Sequence, residues 1–585
     1  MPGLFQTAVV EARVDEVPNS FELARIVALP RRVLNPADVP DATVLYRRSD
    51  APSPAMSLWP LQSAALLEAS VANGLFAPLG VGAGKTLITL LLPDAMGSDR
   101  AVLLLPSQLK LQLRARMIPE YQKHFKLPPV HDPYSFIRMR LPFPNGLYVV
   151  AYEELSSAKK ADVLELIDPD LIIADECHRV RNRGTARCRR FLRFVSKHPE
   201  TRFVGLSGSI TTDSIRDYAH LINIALRKGS PLPWGFHEQL DWAGAIDVNP
   251  TCPMAPGALM QFCESGESVR SGYRRRLVET TGVVASVEGA LGTSLRIVSR
   301  PLETPKEVTD IIESVRKNWK IHDEELEDGL AMSRILRQLS CGMYLKWVWP
   351  EKNGKPVKDY EWLDARAAWH KEVRYYLQHR AKAGMDSALL LAQAAASGRW
   401  ESQHYAAWCA VKDRPQPKTT AVWISDFLVK DAVTWAKAQA KARLDDEDDG
   451  NYKSGGAIIW YYWKEVGRAI AEAGNLSLYD AERDPSFAKE SIIVATMAHR
   501  EGKNLQDRYS RCLITSPPSN GAIFEQLLGR LHRPGQLADE VVVDYYEHTV
   551  ENTKALDDAI ADAIYMEETT GARQKLRYAD LIRGC

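Results

Sequence analysis

Apolar runs alternate with helix-length amphipathic stretches over residues 51–228. Five of these runs end in polar or small residues: GLFAPL, RAVLLLPS, GLYVVAYEEL, PDLIIADE and TRFVGLSG. Continuous apolar strands that alternate with helices are typical of a parallel sheet covered on both faces. Such sheets bind ligands at the carboxyl ends of their strands. The pattern therefore predicts an α/β lobe whose functional residues follow its strands.

The same alternation returns over residues 451–585, where GAIIWYYW, SIIVATM, RCLITS and EVVVDYY resemble strands. We predict a second lobe of similar build, in which Ile458–Trp463 is a buried strand and not an aromatic nucleic-acid platform. Residues 229–450 differ, because they hold 11 of the 14 Trp and long runs rich in Ala, Leu, Arg and Lys. These features favour a mainly helical insertion with Trp as core anchors. Residues 1–50 are predicted to be an accessory segment of short β-like runs.

Composition places the chain among ordinary globular proteins, since 45% of its 585 residues are hydrophobic and 25% are charged. The 74 basic and 74 acidic residues balance, so any nucleic-acid surface has to be a local basic patch. The eight Cys form no CxxC pair and no zinc-ligand spacing, which favours a reducing, cytoplasmic location. No apolar run approaches the roughly 20 residues of a membrane helix, so no membrane partner is expected.

A phosphate loop is predicted at Gly80–Thr86, which reads GVGAGKT between a strand and a helix. Gly82 and Gly84 would let backbone N–H groups approach phosphates, and the Lys85 ammonium would neutralise their charge. The Thr86 hydroxyl would bind Mg²⁺. The strict pattern GxxxxGK[ST] requires another Gly where this chain has Leu79. The alternative is a chance glycine-rich turn.

Two adjacent carboxylates, Asp175 and Glu176, end the apolar run LIIA about ninety residues after Lys85. Their position predicts that both lie at the edge of the sheet that carries the phosphate loop. Asp175 suits Mg²⁺, and Glu176 suits the orientation or deprotonation of an attacking water. An isolated Asp-Glu pair is otherwise a solvated turn.

The third element is QLLGRLHRPGQ, which runs from Gln526 to Gln536. Arg530 and Arg533 are three residues apart on a predicted helix and would face roughly the same side. Together with Gln526 they would reach the γ-phosphate of ATP, where the two arginines would stabilise transition-state charge. A solvated helix face is the alternative interpretation.

In these motifs the chain resembles superfamily-two helicases, most closely their Swi/Snf-like branch, over most of residues 57–550. Further strings carry the resemblance: LWPLQ at 58–62, LPS at 105–107, YEE at 152–154, LSGSI at 206–210, ILRQLSC ending at Cys341, and TMAHREGKNL at 496–505. The resemblance implies two RecA-like lobes that hold ATP and Mg²⁺ in the cleft they form, with a helical insertion separating the motif blocks. It also makes a phage or bacterial member plausible, which would act in the host cytoplasm if phage-encoded.

The resemblance further implies roles for single residues. Gln62 would bind the adenine base. A second set would couple hydrolysis to movement: His178, Ser207, Ser209 and Gly502. A third set would contact nucleic acid: Ser107, Tyr152 and Thr496. Two departures stand out, since LSGSI lacks the Pro of the family string and His499-Arg500 replaces two Gly. The added positive charge could hold a phosphate backbone, or the segment could be a surface loop.

Seven Arg follow the DECH string within residues 179–193, and Arg183, Arg187 and Arg190 are predicted to share a helical face. Such a stripe could bind phosphates without sequence preference. Charge runs are also common on solvated surfaces, so both interpretations stay open.

The predicted function is an ATP-dependent DNA translocase or helicase, a motor that tracks duplex DNA by preference. Single-stranded DNA is a possible substrate, RNA is less favoured, and a monomer could complete its own site. One alternative is an ATP-gated clamp that holds DNA or protein without travelling. A phosphoryl-transfer enzyme for small molecules is a weaker alternative, because it leaves QLLGRLHRPGQ and the second lobe unexplained.

Overall fold

The structure is a computed structural model that describes residues 17–250, 253–254, 256–286, 293–322, 324–326, 328–352, 355–382, 384–448 and 455–583. The chain forms two compact units. The first contains Met1–Gly289 and Asp562–Gln574, and the second contains Ala290–Ala561 and Lys575–Cys585. Among the described residues, no helix is long and apolar enough to cross a membrane.

A six-stranded parallel sheet forms the centre of the first unit. Its strands are β1 (Leu75–Pro78), β2 (Arg100–Leu105), β3 (Val130–His131), β4 (Gly146–Ala151), β5 (Leu171–Asp175) and β6 (Arg202–Ser207). They lie in the order β1-β6-β5-β2-β4-β3, and every pair is parallel. The carboxyl ends of all six strands therefore lie at one edge.

Two hydrophobic layers cover this sheet, one on each face. Along β2, Val102 and Leu104 join one layer, whereas Leu103 and Leu105 join the other. This alternation follows from the two-residue period of a strand. Because both layers are apolar, β2 reads as a continuous apolar run in the sequence.

The helices of the first unit supply most of these layers. They are Phe21–Ala28, Thr43–Tyr46, Pro60–Ala72, Lys85–Ala95, Ser107–Gln112, Ile118–Tyr121, Pro133–Met139, Tyr152–Ser156, Val163–Ile167, Ala186–Lys197, Arg216–Leu226, Phe236–Ile246 and Val269–Val278. The described part of the predicted accessory segment folds into helices, and its Leu23 and Ile26 are buried in this core. Residues 1–16 lie outside the described part of the chain.

A seven-stranded parallel sheet forms the centre of the second unit. Its strands are β7 (Ser294–Arg300), β14 (Gly456–Tyr461), β15 (Ser477–Tyr479), β16 (Ile492–Thr496), β17 (Tyr509–Ile514), β18 (Glu540–Tyr546) and β19 (Asp580–Ile582). The order is β15-β16-β14-β17-β18-β7-β19, with parallel pairing throughout.

Short antiparallel pairs and helices connect β7 to β14. The pairs are β8 (Lys320–Ile321) with β9 (Glu324–Glu325), β10 (Met343–Val348) with β13 (Lys418–Trp423), and β11 (Glu351–Lys352) with β12 (Lys355–Pro356). The helices of this connection are Lys306–Asn318, Gly329–Leu339, Tyr360–His379, Ala388–Ala396, Tyr405–Val411 and Phe427–Asp448. Beyond it follow the helices Lys464–Gly474, Gly521–Leu531, Val550–Thr570 and Lys575–Tyr578.

The predicted α/β class is confirmed, with two parallel sheets, and all nine strands named from apolar runs are present. The stretch from Ile458 is a buried strand as far as Tyr461. The boundary between the two compact units falls at 289/290, inside the region 229–450 that is predicted to be one insertion. Ser294–Arg300 is a strand of the second sheet and not part of the insertion. Its alternating SLRIVSR pattern is short and lacks the continuous apolar run of the central strands.

The 11 Trp residues of the middle region differ in how deeply they are buried. Core anchors are confirmed for five of them, each at most 9% exposed: Trp242, Trp349, Trp362, Trp369 and Trp435. Trp234 and Trp319 are about half exposed and Trp347 and Trp423 are 38% exposed, so the core interpretation does not hold for these four. Trp400 and Trp408 are partly buried. One of the runs rich in Ala, Leu, Arg and Lys, residues 364–396, lies mostly in the two helices Tyr360–His379 and Ala388–Ala396, as its composition predicts.

Candidate functional site

Three strand ends in the first unit bring the predicted chemistry together. β6 lies between β1 and β5 in the sheet. The glycine loop follows β1, the Asp175–Glu176 pair ends β5, and Ser207 ends β6. Sheet order alone therefore places Ser207 between the loop and the two carboxylates. The three motifs span more than a hundred residues of sequence, from Gly80 to Ser207, yet they meet at one edge of the sheet.

The loop after β1 has the backbone of a tight turn that ends in a helix. Gly82 has φ +98° and Gly84 has φ +70°, values that favour glycine because a Cβ would clash with the backbone. The helix begins at Lys85, so the first-turn N–H groups point toward the loop. The positive end of the helix dipole and these N–H groups suit a phosphate.

The Lys85 side chain lies within this loop and is 9% exposed. Its ammonium donates to the carbonyl oxygens of Leu79 at 3.1 Å and Gly80 at 3.3 Å. The same Nζ lies 3.8 Å from Glu176 Oε1. Lys85 thus connects the loop after β1 to the carboxylate after β5, and a phosphate in the loop could replace its two carbonyl partners.

Glu176 has a left-handed backbone with φ +56°, which is uncommon for a residue with a side chain. Residues in such conformations cluster at functional sites, where the surrounding structure holds them. Burial would raise the pKa of the Glu176 carboxyl, but Lys85, His178 and Ser207 outweigh burial and hold this pKa well below its usual range. The carboxylate is therefore ionised at neutral pH.

Ser207 links Glu176 to His178 through its hydroxyl. Ser207 Oγ donates to Glu176 Oε2 at 3.1 Å and lies 2.9 Å from His178 Nδ1. The Ser209 N–H donates to the same Oγ at 3.1 Å. Ser207 is fully buried, so its hydroxyl has a fixed set of partners. Of the three residues expected to couple hydrolysis to movement within this unit, His178 and Ser207 contact Glu176 directly, and Ser209 is connected to it through Ser207.

Tyr152 is buried and does not lie on a surface that nucleic acid could reach. Its hydroxyl donates to the Asp175 carbonyl oxygen at 2.8 Å. Burial raises the pKa of the Tyr152 hydroxyl well above its usual value, so the hydroxyl stays protonated and keeps donating. The structure corrects the prediction of a nucleic-acid contact, because the Tyr152 side chain, at the start of the helix after β4, is buried and its hydroxyl is bonded to the end of β5. Asp175 itself is 7% exposed.

Gln62 lies at the loop, as its predicted role with the nucleotide requires. Its Nε2 donates to the Gly84 carbonyl oxygen at 3.3 Å, and its Oε1 accepts from the Trp59 N–H at 2.8 Å. A Cβ at Gly84 would lie 2.2 Å from Gln62 Nε2. Glycine at this position therefore allows the close approach of the amide. The structure brings Gln62 to the loop, and its contact with adenine stays a prediction.

Ser286 contacts the glycine loop and was missed by the sequence reasoning. Its Oγ accepts from the Gly80 N–H at 2.9 Å, and its own N–H donates to the Pro78 carbonyl at 3.1 Å. The Arg573 N–H donates to the Ser286 carbonyl at 3.2 Å. Residues from 200 and nearly 500 positions downstream thus support the loop. No local motif surrounds Ser286, so the sequence held no signal for it.

Several arginines after the DECH string (residues 175–178) donate hydrogen bonds to groups of the protein itself. The helix begins at Ala186, so Arg183 lies outside it and the predicted shared face with Arg187 and Arg190 is wrong. The Arg190 guanidinium is 3% exposed and donates to the carbonyls of Leu155 and Ser157 at 2.7 and 2.8 Å.

The two remaining predicted phosphate contacts of this segment also have protein partners. Arg187 Nε donates to the Arg179 carbonyl at 2.6 Å, and Arg183 donates to Gln239 Oε1 at 3.1 Å. Burial lowers the pKa of both guanidiniums. Ser107 is exposed after β2, where its N–H donates to Glu153 Oε2 at 3.0 Å. Of these predicted contacts, Ser107 and Arg183 are exposed, Arg187 is partly buried and Arg190 is buried.

Arg530 and Arg533 of the second unit share a partner, as their spacing predicts. Their NH1 groups lie 2.8 and 3.5 Å from the Lys503 carbonyl oxygen. Arg533 also donates to Asn504 Oδ1 at 2.8 Å. The helix ends at Leu531, so Arg530 is helical and Arg533 lies beyond its end. Arg530 is 6% exposed, and its reach to a nucleotide stays a prediction.

The segment after β16 lies beside Gln526. Arg500 Nε donates to Gln526 Oε1 at 3.0 Å, so a predicted nucleic-acid contact and a predicted catalytic residue are neighbours. Thr496 caps the next turn through its side chain, and Gly502 has φ +69°. His499 is 5% exposed and burial lowers its pKa, so it adds no charge to the surface that a phosphate could contact.

The residues at the end of β1, β5 and β6 fit a nucleoside triphosphate with Mg²⁺. The left-handed glycines and the start of the helix at Lys85 supply backbone N–H donors suited to phosphates. Mg²⁺ in phosphate sites takes one or two protein ligands and completes its shell with phosphate and water oxygens. Thr86 and Asp175 supply a donor set of that kind.

No protein-family model matches this chain, and a comparison with curated proteins also finds no match.

Proposed function

We propose that the chain is a nucleic-acid-dependent ATPase that uses ATP hydrolysis to move along or remodel DNA. The observation that carries the proposal is the chain of contacts Lys85–Glu176–Ser207–His178 at one sheet edge. It joins a phosphate-loop lysine, a partly buried, ionised carboxylate and the serine of the predicted coupling motif. An ion pair with a purely structural role would not require a glycine-rich loop beside it.

Each residue has a distinct part in the proposed reaction. Lys85 exchanges its carbonyl partners for the β- and γ-phosphate oxygens of ATP, and the loop N–H groups hold the same phosphates. Thr86 and Asp175 would hold Mg²⁺, which when bound neutralises charge on the phosphates. Glu176 accepts a hydrogen bond from the attacking water and orients it toward the γ-phosphate.

Ser207 gives the site a means to report on the nucleotide. When a water and a phosphate compete for Glu176 and Lys85, the hydroxyl between Glu176 and His178 has to change partners. The strand end at β6 would then respond to hydrolysis. Gln526, Arg530 and Arg533 keep their proposed part in transition-state stabilisation from the family resemblance.

DNA is the proposed substrate, with duplex favoured, because the resemblance is to a branch that tracks duplex DNA. A clamp that closes on DNA without travelling would use the same contacts around Glu176. The two functions differ in one measurable respect. Hydrolysis by a translocase rises with the length of the DNA, whereas hydrolysis by a clamp is independent of length.

The test is steady-state ATP hydrolysis with no nucleic acid, single-stranded DNA, duplex DNA and RNA. We expect the strongest stimulation with duplex DNA and an increase from short to long duplexes. Stimulation by single strands alone would favour strand separation. An ATPase indifferent to every nucleic acid would contradict the proposal and favour a small-molecule phosphoryl-transfer enzyme.

A further inference from the structure

We propose that one face of the helix Tyr360–His379 and the turn after it bind the phosphate backbone of nucleic acid. The residues of this face, here called the insertion basic face, are Lys371, Arg374, Tyr375, Arg380 and Lys382. They belong to the Trp-rich region between β7 and β14. The proposal deepens the proposed function, on which it rests for the identity of the polyanion, because it assigns a nucleic-acid contact to a segment with no helicase motif.

Helix geometry turns these side chains to solvent. Trp362, Trp369, Val373 and Tyr376 are buried on one side of the helix, at spacings of three, four and seven residues. Lys371, Arg374 and Tyr375 are exposed on the other side, one turn apart. The buried Trp residues of the helix therefore also determine its orientation. They fix which residues of the helix project outward.

The cations of this face are not neutralised. Within the described part of the insertion, Lys371, Arg374, Arg380 and Lys382 lie in none of the ion pairs of the structure. The one acidic residue among positions 370–382 is Glu372. Its Oε2 accepts from the Ser402 hydroxyl at 2.6 Å and its Oε1 from the Gln403 N–H at 3.2 Å. The carboxylate thus serves a neighbouring turn and leaves the positive face uncompensated.

Nearby carboxylates do not reverse this charge. Asp364 is exposed but lies about two turns before Lys371 on the helix, and Asp386 is 1% exposed. His370, beside the face, has its pKa lowered by burial and further by the positive charges of Arg366 and Arg374. Positions 370–382 hold four Lys or Arg and one Glu, so this segment carries a positive formal charge even though the whole chain is neutral.

An exposed aromatic ring lies within the same surface. Tyr375 is 54% exposed, and the His379 ring lies 4.7 Å from it, centroid to centroid. The Arg380 guanidinium lies 5.8 Å from the Tyr375 centroid. Lysines and arginines around a stacking ring are the features that nucleic-acid surfaces combine, since cations hold phosphates and rings stack on bases. An acidic protein partner needs the cations alone.

The cations of residues 179–193 and those of the insertion basic face differ in how accessible they are to a ligand. There Arg187 and Arg190 donate to backbone carbonyls within the protein, whereas the insertion basic face presents its cations to solvent. Arginine density in the sequence is therefore a poor guide to phosphate binding in this chain. Exposure and the lack of an ion pair to a carboxylate are the deciding properties.

The test compares two double variants of the full chain with equal charge change. Lys371→Glu with Arg374→Glu alters the face, and Lys437→Glu with Lys441→Glu alters two exposed lysines of the helix Phe427–Asp448. Affinity for labelled single-stranded and duplex DNA is measured by anisotropy over a series of salt concentrations. We expect the first variant alone to lose affinity at least tenfold, with a salt slope about 1.5 smaller, since each phosphate contact contributes about 0.7 to 0.9.

Two further measurements keep the outcomes apart. Basal ATP hydrolysis without DNA should be equal in both double variants and wild type, which checks the fold. Tyr375→Ala should weaken single-stranded DNA binding more than duplex binding, and Tyr375→Phe should not. Equal DNA affinity and slope in the two double variants overturns the inference, as does tighter binding of wild type to poly-glutamate than to DNA. Loss of DNA binding by the face variant, in a protein without ATPase activity, would support the face and refute the proposed function.

Discussion

The Glu176 carboxylate lies 3.8 Å from the Lys85 ammonium, although 91 positions separate the two residues in sequence. The pair exists because β1 and β5 end at the same edge of the first sheet, with β6 between them. Ser207 at the end of β6 completes the contact through its hydrogen bond to Glu176.

Replacement of Ser207 by Ala should lower kcat for ATP about tenfold and leave KM nearly unchanged. The hydroxyl orients Glu176 without touching the phosphates, so its loss affects water orientation more than binding. The measurement is steady-state hydrolysis over a range of ATP concentrations. Thr201→Ala is the matched control, because it removes a buried hydroxyl beside the opposite end of β6. Equal kcat values for the two variants would contradict the role of Ser207.

The stability conferred by the Glu176 charge should be lost only in acid. The pKa of this carboxyl is lowered in the folded state, so the ionised form stabilises the fold above the unfolded pKa of about 4.3 and less as pH falls below it. The difference in unfolding free energy between wild type and Glu176→Gln should be constant from pH 8 to about pH 5. It should then shrink toward lower pH. A wild-type advantage that grows as pH falls from 8 to 6 would show that the pKa is raised instead.

Ser286→Ala should raise KM for ATP severalfold with little change in kcat. The Ser286 hydroxyl accepts from the Gly80 N–H and so fixes the start of the phosphate loop, away from Glu176. Fluorescent-nucleotide binding and hydrolysis together separate affinity from turnover. Thr280→Ala is the control, since its hydroxyl bonds to its own helix at Arg276 and does not contact the loop. Unchanged nucleotide affinity in Ser286→Ala would exclude this positioning role.

Arg190→Ala should destabilise the first unit and leave the salt dependence of DNA binding unaltered. The buried guanidinium satisfies two carbonyls, and unsatisfied buried groups cost about 1–3 kcal/mol each. We expect a loss of roughly 2 kcal/mol in denaturant unfolding. Lys197→Ala, at the exposed end of the same helix, should change neither quantity. A smaller salt slope for Arg190→Ala would restore the phosphate-binding interpretation.

Tyr152→Phe tests the corrected position of this side chain. The hydroxyl donates to the Asp175 carbonyl, so its removal should lower kcat severalfold by loosening the end of β5. DNA affinity measured by anisotropy should stay within twofold of wild type. A selective loss of DNA affinity, with hydrolysis intact, would return Tyr152 to the nucleic-acid surface.

The sequence predicts the sheets well because their strands are buried on both faces. Runs such as RAVLLL and LIIAD are continuously apolar, and the polar residues that follow them are at the carboxyl edge. β7 escaped prediction since it alternates between buried and partly exposed positions. The predicted helical face shared by Arg183, Arg187 and Arg190 is wrong for another reason. Thr185 caps the helix through its hydroxyl, so the helix starts after Arg183 and buries Arg190.

The site is predictable where a motif and a strand end coincide, as at Lys85, Asp175, Glu176 and Ser207. Ser286 is not predictable, because its contact with Gly80 depends on a chain segment that returns beside β1 after 200 residues. Tyr152 and Arg187 carry the right residue types for a nucleic-acid contact, yet their burial depends on tertiary packing. Sequence spacing carries no information on such burial.

The central claim is that Glu176 orients the water that cleaves ATP while Lys85 holds its phosphates. The direct test is duplex-stimulated hydrolysis and fluorescent-ATP binding by wild type, Glu176→Gln and Thr201→Ala. The account predicts that Glu176→Gln binds the nucleotide about as tightly as wild type but hydrolyses it at least a hundredfold more slowly, and that Thr201→Ala behaves as wild type. Hydrolysis by Glu176→Gln within a fewfold of wild type would contradict the account.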